Sequence, residues 1–168
     1  MDEKTADLVA AIEHATRRME SGGAPPFGKD PNKTWKPHCS AMFRETMRFL
    51  AAQKVDVPAD FLHGDANTLG GKIRTHPNYW APVGDLDSAR ALANKGVLVV
   101  GTQPGHIGIV YPVENGRTEL LVRDGNIHPT NRPIGFQGKV YPSTYGAVPA
   151  RKAFIMKQTQ WYKYLPTD

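Results

Sequence analysis

The sequence predicts an α+β protein in which helices come first and an antiparallel sheet follows. Two segments, 3–20 and the run that begins at Cys39, repeat apolar residues at helical spacing. After Lys95-Gly96 the pattern changes to short β-branched runs separated by turn signals, Asn115-Gly116 among them. Helices followed by strands make the α+β layout, as opposed to the strand–helix alternation of a parallel sheet. The 168 residues suit one domain spanning 1–168. A chain of that size buries roughly 70% of its unfolded surface without a covalent staple.

In order along the chain, Leu8, Ile12, Ala15 and Met19 form the apolar stripe of the first helix, which Ser21-Gly22-Gly23 stops. Residues 24–37 hold Pro25, Pro26, Pro31 and Pro37 and read as a loop. From Cys39 the pattern CSAMFRETMRFLAAQ is helical, with Met42, Phe43, Met47, Phe49 and Leu50 giving a broad apolar face. Val57-Pro58 ends that unit. Residues 59–82 predict a short helix flanked by loops, and Asp85–Asn94 a helical turn or two capped by Asp85 or Asp87. Val97–Val100 predicts a strand, Gly101–Gly105 a turn, and Ile107–Val110 with Tyr111 a second strand. Glu114–Arg117 carries a hairpin signal leading into Glu119–Arg123. Further strands are expected at Lys139–Tyr145, Ala153–Met156 and Trp161–Tyr164.

The net charge of +5 favours an anionic partner. The basic residues are scattered, with no run of five and no aromatic-interleaved stretch, so nucleic acid is not an expected partner. No segment approaches the ~18 consecutive apolar residues of a membrane span. The acidic, amphipathic start MDEKTADLVAAIEHATRR does not match a secretory signal.

A single cysteine excludes an intramolecular disulfide framework and four-thiolate zinc sites. It leaves a buried small hydrophobe or a nucleophile as the role of Cys39. The thiolate is the reactive form, and a helix amino terminus favours negative charge through its free N–H groups and dipole. Cys39 stands at the start of a helix after a Pro-rich loop. A nucleophile also needs a base, and six histidines compete. His14 falls on the first helix, on a solvated face. His38 adjoins Cys39, and adjacent side chains point apart. His63 and His76 occupy loops, and His128 follows the hairpin. His106 opens an apolar strand behind Gly105, which suits a base brought close to a thiol. No HExxH occurs, and Gly70-Gly71-Lys72 lacks the spacing of a phosphate-binding loop. His63 and Asp65 lack a third partner for a metal. Neither metal nor cofactor is expected. Trp35, Trp80 and Trp161 with Tyr79 are candidates for lining a glycan or peptide cleft, with packing the alternative for half or more of them.

His38-Cys39-Ser40-Ala41 opening a helix and Gly105-His106-Ile107-Gly108-Ile109-Val110 opening a strand resemble the papain-like, NlpC-type peptidoglycan cysteine hydrolases. Within them the sequence looks closest to the type VI secretion amidase effectors. That likeness includes 29–33, His63-Gly64-Asp65-Ala66-Asn67 and 93–100, covering about residues 5 to 150. The family's glycine two positions after the nucleophile is Ala41 here. The resemblance implies an amino-terminal helical part carrying Cys39, packed on an antiparallel sheet carrying His106. It implies cleavage of an amide in the peptide stem of peptidoglycan, near the D-glutamate–diaminopimelate link. Delivery into a rival cell's periplasm without a signal peptide, and a cognate immunity protein, are implied as well. A third residue should orient the histidine. Ser143 is favoured, with Tyr141 on the same strand face and His128 as alternatives. A phage-type endolysin or tail hydrolase of the same chemistry, and a non-catalytic binding module, are the competing readings.

Overall fold

The structure, a computed structural model, describes residues 3–20, 39–112, 121–123, 148–149 and 159–166. Among these the fold is α+β. Its helices are α1 (Glu3–Glu20), α2 (Cys39–Ala52), α3 (Ala66–Thr75) and α4 (Leu86–Ala93), with a 3-10 turn at Ala59–Leu62. The strands are β1 (Trp80–Val83), β2 (Val99–Gln103), β3 (His106–Tyr111), β4 (Leu121–Arg123), β5 (Val148–Pro149) and β6 (Gln160–Tyr164). They form one antiparallel sheet in the order β1-β6-β2-β3-β4-β5. Among the described strands the two at the edges, β1 and β5, each contain a proline, Pro82 and Pro149, and edge strands tolerate a missing N–H.

The sheet is covered on both faces. On one, α1, α2 and α3 bury Leu8, Ile12, Met42, Phe43, Leu69 and Ile73 against Val100, Ile107 and Ile109. On the other, Ala89 and Ala93 of α4 pack with Val83, Val99, Val110 and Trp161. Strand alternation produces the two clusters: Ile107 and Ile109 serve the first, and Val110 the second. The helices that sequence periodicity predicts are present, and the 59–82 segment holds the expected short helix as α3. Asp85 is the cap of α4, accepting from the Ser88 N–H at 2.7 Å.

Two sequence expectations need correction. Residues 80–82, expected as loop, belong to β1, which pairs with β6 from Trp80↔Tyr164 to Val83↔Trp161. The predicted turn at Gly101–Gly105 is also too long. Gly101, Thr102 and Gln103 belong to β2 and pair with Gly108, Ile107 and His106. The glycine at 101 answers to packing: a Cβ there would lie 2.6 Å from Cζ3 of Trp161. Only Pro104 and Gly105 turn the hairpin, with Gly105 at φ +76. The Glu114–Arg117 hairpin and the strands expected at 139–145 and 153–156 lie outside the described residues.

An aromatic group pins β1 and β6 to the helices. Trp80 is fully buried, with its rings 4.7 Å from Tyr164, 5.8 Å from Phe61 and 5.9 Å from Phe43. The Tyr164 hydroxyl donates to the Asp56 carbonyl, and the Tyr79 hydroxyl to Asp56 Oδ2 at 3.3 Å. Burial, and then the Asp56 carboxylate, pushes the Tyr164 phenol above its ordinary range.

The contact between Gly101 and Trp161 supplies a direct test of this packing. Gly101→Ala should destabilise the protein by about 1–3 kcal/mol, read by urea denaturation, because an indole ring within the sheet-α4 layer must move. Unchanged stability would show that Trp161 does not sit over position 101.

Candidate functional site

Cys39 is the first residue of α2, and His106 is the first residue of β3. The last turn of α2, at Phe49 and Leu50, shares a cavity with Leu98, which precedes β2. From there β2 runs away to the Pro104-Gly105 turn, and β3 starts back. Helix α2 spans about 20 Å, comparable to a strand of five or six residues. Its first turn is therefore carried toward the hairpin turn that precedes His106.

The segment between Leu62 and Asn67 ties these two starts together. Arg44, on the second turn of α2, donates from Nη1 to the Gly64 carbonyl at 2.5 Å. One turn further on, Arg48 donates to the Leu62 carbonyl at 3.1 Å and pairs with the buried Glu45 at 2.6 Å. On the hairpin side, the Gly105 N–H donates to Asn67 Oδ1 at 2.7 Å. Asn67 is in the first turn of α3, whose cap is Asp65. Gly64 takes φ +118, and a Cβ there would lie 3.1 Å from the Thr68 methyl, which leaves little room for a side chain. Arg44 and Asn67 thus hold the surroundings of the two candidate residues, and sequence reasoning singled out neither for that role. An asparagine one residue into a capped helix has no local pattern that reveals a bond 38 residues away.

Other candidates occupy structural positions. His14 is half-buried, its ring 4.8 Å from that of Phe49, and is not on a solvated face. His76 closes α3, with Nδ1 2.6 Å from the Lys72 carbonyl and Nε2 2.9 Å from Asp60 Oδ2. Lys72 donates to the carbonyls of Asp60 and His63 at 3.0 and 3.2 Å, which gives the Gly70-Gly71-Lys72 stretch a structural task. Trp80 and Trp161 belong to the core rather than to a cleft, and Tyr79 is half-buried beside them. Asp65 spends Oδ1 on the Thr68 N–H at 2.8 Å, while His63 is exposed. His38, Trp35, His128, Tyr141 and Ser143 lie outside the described residues.

A cysteine at a helix start and a histidine at a strand start are the element positions that thiol-based acyl transfer uses. The helix start lowers the energy of the thiolate, and its free N–H groups can receive an oxyanion. By alternation, position 106 belongs to the face of Val110, whereas α2 packs on the face of Ile107 and Ile109. No protein-family model matches the chain, and no match to it is found among curated proteins.

The caps that hold this region should govern its acid stability. The Thr68 N–H, and then the Thr68 hydroxyl, keep the Asp65 carboxyl below its ordinary range, and Ser88 does the same for Asp85. A folded-state pKa below the unfolded value means that folding favours the ionised form. The stabilisation is present above the ordinary carboxylate pKa and is lost as pH falls through the lowered value. At neutral pH Asp65→Asn should nearly retain the wild-type Tm, since asparagine also caps, while Asp65→Ala lowers it. Between about pH 5 and 2 the Asp65→Asn, Asp85→Asn double variant should lose Tm less steeply than wild type. Parallel curves would remove the caps from the acid response.

Proposed function

We propose that this chain is a cysteine amidase of the papain-like, NlpC-type fold that cuts an amide bond in the peptide stem of peptidoglycan. Cys39 acts as the nucleophile and His106 as its base. The observation that supports the reading is that Cys39 opens α2 and His106 opens β3, while the 62–67 segment bonds to both elements, Arg44 to the Gly64 carbonyl and the Gly105 N–H to Asn67. The sequence resemblance of both motifs supports it, and so does the net charge of +5, which suits a carboxylate-rich wall polymer.

In this reading His106 takes the proton of the Cys39 thiol, and the thiolate attacks the scissile carbonyl carbon. The carbonyl π pair moves to oxygen and is received by N–H groups at the start of α2. On collapse of this adduct the C–N bond breaks, and His106 returns the proton to the departing amine. Water, deprotonated by the same histidine, then releases the acyl group from sulfur. Ser143 is the proposed residue that orients the imidazole, with Tyr141 and His128 as alternatives. The resemblance points to the D-glutamate–diaminopimelate link, to type VI delivery into a rival periplasm, and to an immunity protein that covers the cleft. A phage-type lytic enzyme would share the chemistry and differ in its route.

One observation favours a second reading, a binding module in which Cys39 is a packed thiol. It is the assignment of position 106 to the sheet face opposite α2. The two readings separate in one pair of measurements. If the dyad operates, iodoacetamide alkylates native Cys39 rapidly near neutral pH, and His106→Ala slows that reaction. Wild-type protein should also release new stem fragments from purified sacculi, identified by mass spectrometry. Cys39→Ala should abolish them, and His106→Ala should reduce the rate by about 10²–10⁴-fold. An inert thiol together with unchanged sacculi would establish the binding module instead.

A further inference from the structure

A cavity of about 570 Å³ lies at the opposite end of α2 from Cys39, where the start of α1, the 53–55 turn and the 95–98 segment meet. That volume falls in the range of small-molecule sites, roughly 300–1,000 Å³. Its floor is apolar: Leu8 and Leu98 are buried, and Leu50, Val55 and Val97 are half-buried. Lys4, Lys54 and Lys95 are exposed on the lining, with Asp7 as the single carboxylate there. None of the three lysines makes a hydrogen bond or ion pair with the described residues. The placement of two of them is set by a close approach. Gly96, at φ +85, lets the backbone of Lys4 come within 2.5 Å of where a Cβ would be, which seats the start of α1 beside Lys95.

Lys54 adds an independent observation. It ends α2 in a paired bonding pattern, Val55 N–H to the Leu50 carbonyl at 3.1 Å and Lys54 N–H to that of Ala51 at 3.0 Å. The residue at this position adopts the left-handed conformation, and glycine is favoured there. Gly96 fills the equivalent position after α4, with Val97 N–H bonded to the Leu92 carbonyl at 3.1 Å and Gly96 N–H to that of Ala93 at 2.9 Å. After α2 the same position carries a lysine at φ +71, the one non-glycine at positive φ among the described residues. Backbone strain of this kind collects at ligand-binding positions.

We propose that this cavity is a binding site for a small amphiphilic carboxylate, whose apolar tail lies on the Leu50–Val55–Leu98 floor and whose carboxylate is held by Lys4, Lys54 and Lys95. An apolar floor alone would take any hydrophobic ligand. Three lysines on its lining, without ion pairs among the described residues, favour an anion, and a volume of about 570 Å³ suits a small molecule. The site is separate from Cys39 and does not depend on the amidase reading.

Calorimetric titration of the full chain with octanoate, 1-octanol and octyltrimethylammonium at 0.15 M salt tests the proposal. Octanoate should bind saturably at one site, octanol several-fold more weakly, and the cation not measurably. Lys54→Gly should raise Tm while weakening octanoate about two- to fivefold, so that lost affinity cannot be ascribed to unfolding. The Lys4→Gln, Lys54→Gly, Lys95→Gln variant should weaken octanoate about tenfold and leave octanol unchanged. Absence of saturable octanoate binding, equal binding of octanol, or undiminished affinity in the triple variant would each overturn the proposal.

Discussion

The seating of α2 on β3 is the interaction on which the rest of the molecule depends. An isolated helix of 14 residues is marginal in water, so its direction is set by what it buries. Ala41, Met42, Phe43 and Met47 are fully buried, and they share a cluster with Ile107 and Ile109. Truncating a side chain of this kind typically costs about 2–5 kcal/mol, enough to threaten a domain of ordinary stability. The last turn of α2, at Phe49 and Leu50, lies beside Leu98, which precedes β2. Phe43 also reaches Trp80, so the helix is bound to the far edge of the sheet as well as to its middle. The position of Cys39, as the first residue of α2, is therefore set by how that helix packs.

What the sequence discloses depends on how local the controlling physics is. Helices α1 and α2 are readable because their apolar residues recur with the helical period over three turns or more, and Asp85 is readable as a cap because capping spans three residues. Strand β1 was hidden, since Pro82 argues against a central strand and only its edge position makes the proline harmless. Gly101 reads as a turn residue, yet its smallness is required by Trp161, sixty positions along the chain. The candidate site divides in the same manner. Cys39 and His106 are visible as the first residues of their elements. The Asn67–Gly105 bond that steadies the hairpin is not, because a side chain meeting a distant backbone leaves no periodic trace. The face occupied by position 106 is likewise a property of register, settled only once Gln103 is paired with it.

Helix α2 also separates two chemical environments. Its start presents free N–H groups and a positive dipole end, which suits a developing anion at sulfur or at a carbonyl oxygen. Its last turn contains no basic residue, and the first cation beyond it is Lys54. A cation there complements the negative end of the helix dipole, and that effect offers a purely structural reason for a lysine. It does not account for the backbone. The dipole would be served as well by a lysine at 52 or 53, in ordinary right-handed geometry, with glycine at 54 closing the helix as Gly96 closes α4. Placing the charge at the left-handed position brings it to the rim shared with Lys4 and Lys95, above Leu50 and Val55. Helix termination by itself does not require a lysine at that position, and the proposed anion site gives it a use.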